Sequence, residues 1–114
     1  MKISEIAGLI QAEILTHGIN EDADIQSACS ADLMSDVMSF SRGNSMLLTG
    51  LVNPQVIRTA EMMDMKVVVF VRGKKPQQCM VELAEEKGIA LLVTGYPLFV
   101  ASGRLYEKGI RGGE

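Results

Sequence analysis

The stretch Met65–Val71 is apolar at every position except Lys66. A strand that is apolar on both faces cannot lie against water. It belongs inside a sheet that helices cover on both sides. Two further short runs have the same character. Met46–Thr49 ends at Gly50, and Ile89–Val93 leads into Thr94-Gly95-Tyr96-Pro97. Each run is followed by a helix start. Asn53-Pro54 offers a cap with proline in the first turn, and Arg72-Gly73-Lys74-Lys75-Pro76 turns into the next helix. Strands alternating with helices through short turns make a parallel sheet with right-handed crossovers.

The helices carry matching stripes. Leu33, Val37 and Phe40 fall at helical spacing behind Asp32, which reads as an N-cap, with Met34 and Met38 beside them. Gly43-Asn44 reads as the stop of that helix. Val56, Ile57, Ala60 and Met63 supply the next buried face. Met80, Leu83, Ala84 and Lys87 line the third helix, which Gly88 closes, and Leu98, Ala101 and Leu105 line the last, which Gly109 ends. Ahead of this regular part, Ile3, Ile6 and Ile10 predict a short helix over 3–10. Ala12–Thr16 and Ile25–Ser30 are expected strands, separated by the loop His17–Asp24. The expectation is a single α/β domain over 1–114, of the doubly wound kind. It is a compact three-layer domain with a mainly parallel sheet flanked by helices, and 109–114 form a flexible tail.

Composition excludes several functions. A formal net charge of -3 in 114 residues gives no electrostatic footprint for nucleic acid or an anionic membrane. No apolar run is long enough to span a bilayer. No apolar signal segment follows the N-terminus. A cytoplasmic location is expected. The two cysteines, Cys29 and Cys79, are then expected as buried thiols, since a reducing compartment disfavours a disulfide. With His17 they lack the paired spacing of a zinc site, so no metal and no cofactor are expected. Eight methionines beside three Phe, two Tyr and no Trp suit a Met-filled core. A Met-rich docking face involving Met34, Met38, Met62 or Met63 is the alternative.

In parallel sheets, ligands gather at the carboxyl ends of strands. Three such ends pair a small residue with a helix N-terminus, where main-chain N–H groups and the helix dipole favour anions. The candidate ligand-binding residues are Thr49, Gly50, Asn53, Arg72, Gly73 and Thr94, with Lys74 and Lys75 adding positive charge beside Arg72. Neither GxGxxG nor GxxxxGK[ST] is present. No catalytic set is expected: His17 lies in a loop, Cys79 has no histidine near it in sequence, and Asp32 with Asp36 reads as a cap plus an exposed acid.

Four segments carry a family likeness: Cys29–Met38, Leu48–Ile57, Val69–Pro76 and Ala101–Glu107. Together they resemble a stand-alone DRTGG domain over nearly the whole chain. That resemblance implies a small α/β module with a regulatory or ligand-binding role and not an enzyme. It also implies a homodimer, while the row of strand ends with helix N-termini and the cationic Arg72 turn point to a sensor of a nucleotide or another phosphorylated metabolite. Similar domains accompany CBS domains in regulated pyrophosphatases and precede the catalytic domain of some phosphate acetyltransferases. The N-terminal domain of HPr serine kinase is distantly similar. The resemblance also implies an alternative, a structural dimerisation or docking module beside a hydrogenase or other redox complex. The sequence departs from the family's naming pattern, with Asp22-Ala23 for an Asp-Arg pair and Val71-Arg72-Gly73 for Thr-Gly-Gly. The second departure puts a cation at a strand end.

Overall fold

The computed structural model describes residues 1–41 and 44–112, apart from the side chain of Phe40. The stop signal at Gly43 and the end of the expected tail lie outside the described residues. Helix α1 (Ile3–Leu9) leads into β1 (Ala12–Ile14), and β2 (Ser27–Ser30) opens the regular part. There follow α2 (Met34–Phe40), β3 (Ser45–Thr49), α3 (Pro54–Met62), β4 (Val67–Phe70), α4 (Gln78–Glu86), β5 (Ala90–Thr94) and α5 (Leu98–Glu107). The sheet runs β1-β5-β4-β3-β2. β2 to β5 are mutually parallel, and β1 joins β5 antiparallel. This is the expected three-layer α/β arrangement with a mainly parallel sheet, but the doubly wound expectation is corrected, because the parallel strands lie in chain order and that order never reverses direction. Among the described residues, no helix is long and apolar enough to cross a membrane.

The four parallel strands lie in chain order. Each right-handed crossover therefore steps the same way and leaves its helix on the same face. The two apolar cores show this partition. Leu47, Val68, Phe70, Leu91 and Val93 point to one side, where they meet Val37 of α2, Ile57 of α3 and Ala84 of α4. Met46, Leu48, Val67, Val69 and Leu92 point to the other, where they meet Ile3 and Ile6 of α1 and Ala101 and Leu105 of α5. Strand register lines these residues into rows. Leu47, Val68 and Leu91 are neighbours across three strands, as are Leu48, Val69 and Leu92. Side chains alternate along a strand, so one apolar run serves both cores.

Several local expectations are corrected. Asp32 does not cap α2, whose N-cap is Leu33 with no side-chain bond. Its carboxylate reaches across to the end of β3 instead. Leu33 is exposed, and Met34 takes the buried position expected of it. The strand expected from Ile25 begins at Ser27, while Ile25 is buried in the core beside α1. In α4 the third buried residue is Val81, and Lys87 pairs with Glu61 at 3.2 Å. The methionines divide. Met34, Met46, Met65 and Met80 are core residues and Met1 and Met63 pack against the two cores, which leaves Met38 and Met62 exposed. The segment from Gly109 runs beside β2: Arg111 bridges Ser27 in parallel, and the Ala28 N–H donates to Arg111 O at 2.9 Å.

Candidate functional site

Parallel alignment brings the ends of β2, β3, β4 and β5 to one edge of the sheet. The six residues expected there from sequence all lie along it, but they fall into two groups. At the end of β3, Thr49 is fully buried and Gly50 follows it in the turn. Asp32, two residues past β2, joins them. Its Oδ1 accepts from the Gly50 N–H at 2.8 Å and from the Thr49 hydroxyl at 3.1 Å. The Thr49 Oγ1 accepts from the Leu51 N–H at 3.1 Å, which tightens the turn. From β4's loop, the Lys74 ammonium donates to Gly50 O at 3.1 Å. The Gly50 residue thus holds a carboxylate by its N–H and an ammonium by its carbonyl. Asn53 stands next in the chain, where its Oδ1 accepts from the Gln55 N–H at 2.9 Å and caps α3.

The second group joins β4 to β5. Arg72 and Gly73 have φ of 58° and 69°, both left-handed, in a turn that the Lys74 N–H closes on Val71 O. Glycine takes that conformation freely, but in arginine it is strained. The turn curls onto β5. The Arg72 N–H donates to Tyr96 O at 2.9 Å and the Gly73 N–H to Thr94 O at 2.8 Å. These amides serve the protein's own main chain. Here α4 leaves β4 on one face and α5 leaves β5 on the other, the divergence at which parallel sheets open a crevice. The hydrogen bonds close that crevice with backbone. The Arg72 side chain stays exposed above it. Thr94 is buried, and its hydroxyl donates to Ile10 O at 2.6 Å and accepts from the Tyr96 N–H at 3.2 Å. It ties the end of α1 to the end of β5.

The sequence reading gave Asp32 to the helix and not to this edge. The available signal was its place just beyond the first parallel strand, which topology sets beside Thr49-Gly50. The remaining cation, Lys75, lies 3.7 Å from Glu13 in an exposed pair, an arrangement of little energetic weight. Among the described residues, no three His, Cys, Asp or Glu side chains group as a metal site.

Two recesses border α5. One, of about 170 Å³, is bounded by Ala28, Ser30 and Leu48 of the sheet and Ser102, Tyr106 and Arg111 beyond. The Ser30 and Ser102 hydroxyls share a 2.6 Å hydrogen bond there, and the Arg111 guanidinium lies 4.3 Å from the Tyr106 ring centre. The other is an open groove of about 560 Å³ along α5, between Phe99, Ser102, Gly103, Tyr106 and Glu107. Phe99 is 88 % exposed and Tyr106 59 %. Sequence reasoning missed this apolar face, because it assigned α5 one buried stripe and did not weigh what lay opposite.

The cysteines differ from expectation. Cys79 is exposed near the start of α4, and its buried assignment is corrected. Cys29 is partly buried on β2, where burial pushes its thiol above the usual range and the nearby Asp36 carboxylate adds to the effect.

No protein-family model matches this sequence, and no curated protein matches it. Among solved structures it is similar to the CBS and DRTGG domains of the regulatory region of Clostridium perfringens pyrophosphatase, crystallised with the activator diadenosine tetraphosphate. The TM-score is 0.76 at 18 % identity, over 91 % of this chain and 45 % of that one. The likeness establishes a shared fold and supports a DRTGG-like architecture. This chain spans less than half the length of that one.

Two outcomes follow from these contacts. Thr94→Val keeps the shape but leaves Ile10 O and the Tyr96 N–H without their partner. A loss of about 2 kcal/mol is expected in urea unfolding with an unchanged slope; native-like stability would show that the tie contributes nothing. Thiolate is the reacting form, so Cys79 should be alkylated by iodoacetamide well before Cys29 near neutral pH, as read by peptide mass mapping. Equal rates would contradict the environment described for Cys29.

Proposed function

We propose that this chain is a non-catalytic regulatory domain. In this reading it binds a nucleotide or another phosphorylated metabolite at the carboxyl ends of β3, β4 and β5. The observation that carries the reading is the pair of cations at that edge. Lys74 is anchored on Gly50 O, and Arg72 is exposed on a turn fixed by two main-chain bonds, one to the end of β5 and one to the loop after it. Lys74, already held on Gly50 O, loses less freedom than an unanchored lysine when it meets a phosphate. Gly50 keeps the neighbouring surface low. The pyrophosphatase region of the same fold was crystallised with a nucleotide activator, which is in keeping with a regulatory role. A cytoplasmic location belongs to the same proposal. Binding would act by shifting the population of an assembly or partner complex.

A second reading has its own observation. The exposed Phe99 and Tyr106 flank Gly103 on α5, and aromatic residues are enriched in interface cores. A homodimer, or a docking module beside a redox or hydrogenase partner, would use this face. The two readings are compatible, since the strand-end edge and α5 are different surfaces.

The first reading is tested by thermal shift of the full chain with ADP titrated against native protein and Arg72→Ala. A saturable rise in melting temperature is expected for the native chain. Loss of a charge-assisted phosphate contact should weaken binding about tenfold or more. Equal affinity in Arg72→Ala would remove Arg72 from the site. The second is tested by sedimentation: the native chain should run as a dimer and Phe99→Glu as a monomer. A dimer that survives this change has its interface elsewhere.

A further inference from the structure

We propose that Asp32 selects the ligand. On this view, which rests on the strand-end reading above, the site takes a phosphorylated vicinal diol. Both diol hydroxyls donate to Asp32 Oδ2, whose two acceptor positions are open among the described residues, and the phosphate faces Lys74 and Arg72.

The two carboxylate oxygens of Asp32 are unequal. Oδ1 is held twice, by the Gly50 N–H and the Thr49 hydroxyl. That fixes the carboxylate without using it up, because each oxygen has two acceptor positions. Oδ2 accepts no hydrogen bond from the described residues, and the side chain is exposed. A carboxylate needed only to fasten β2's loop to β3 is complete with Oδ1.

The second element is the bare surface at Gly50. A side-chain carbon there would stand 3.6 Å from each Asp32 oxygen and 3.7 Å from Lys74 Nζ. Acceptor and cation border the same small patch of main chain, yet they form no ion pair with each other among the described residues. Lys74 has spent one of its three donors on Gly50 O. The patch therefore offers an anionic acceptor on one side and an ammonium with free donors on the other.

That combination discriminates by chemistry. Inorganic phosphate or pyrophosphate entering over Gly50 meets Lys74, but it also meets a like charge on Asp32. A hydroxyl donates to Asp32 without repulsion. A molecule that carries both groups satisfies both borders, and ribonucleotides and sugar phosphates share that chemistry.

The test uses the full chain and isothermal titration with ADP, 2′-deoxy-ADP, ribose 5-phosphate and pyrophosphate. The variant is Asp32→Asn, which keeps an oxygen for Gly50 and Thr49 and replaces Oδ2 by a donor. The expected result is that ADP binds the native chain about tenfold or more tighter than 2′-deoxy-ADP. The ratio should fall to near one in Asp32→Asn, while pyrophosphate gains affinity. Asp32-dependent binding of ribose 5-phosphate together with ADP would identify the diol and phosphate as sufficient. Asp32-dependent binding of ADP alone would make the ligand a nucleotide. If ADP and 2′-deoxy-ADP bind the native chain equally and Arg72→Ala weakens both, the role of Asp32 is overturned and the strand-end reading stands. If none of the four probes binds the native chain, both fall.

Discussion

The structure depends on one constraint: a sheet that is apolar on both faces must be covered twice. β2 to β5 run in chain order, so their three connecting helices all fall on one side. The other side has to be covered by whatever lies outside those crossovers. α1 and α5 meet that need, the first from before the parallel unit and the second from after it. The Thr94 hydroxyl, which joins Ile10 O to the end of β5, fastens one of these covers where the sheet ends. Everything at the strand edge, including the placement of Gly50 and Arg72, inherits its position from this double burial.

Much of that frame was legible in the residues. The run Met65–Val71 shows a central strand, and Asn53-Pro54 shows where a helix begins; both lie close to where they were read. Periodicity reports which faces are apolar, and the alternation of Val67, Val68 and Val69 between two cores is the form it takes here. Three-dimensional neighbours were less legible. Asp32 looked like a cap because aspartate before an apolar stripe usually is one. Its actual partners, Thr49 and Gly50, are 17 and 18 positions along the chain and become neighbours only through β2–β3 pairing. Local pattern carries no record of such a contact.

The candidate site shows the same division. Strand ends with small residues were readable, and their assembly on one edge follows from parallel topology. What those ends do with their amides was not readable. The Arg72 and Gly73 N–H groups are spent on Tyr96 and Thr94 carbonyls, so a seat made of main-chain donors is closed there. On the proposed reading, recognition at this edge falls to side chains: Arg72, Lys74 and Asp32. This also explains why no familiar phosphate loop appears in the sequence. Such loops work through free main-chain amides, and this turn has committed its own.

The pairing of Arg111 with Ser27 bears on self-association of a less welcome kind. A parallel sheet ends in strands with unsatisfied main-chain groups, and such borders invite stacking with other chains. β2 is one border of this sheet, and the Ala28 N–H, which would otherwise face outward, is taken by Arg111 O. Arg111 is itself steadied by its contacts with Tyr106. A short stretch of chain after the last helix thus serves as a selvedge, a finished border that keeps the sheet from being extended by strangers.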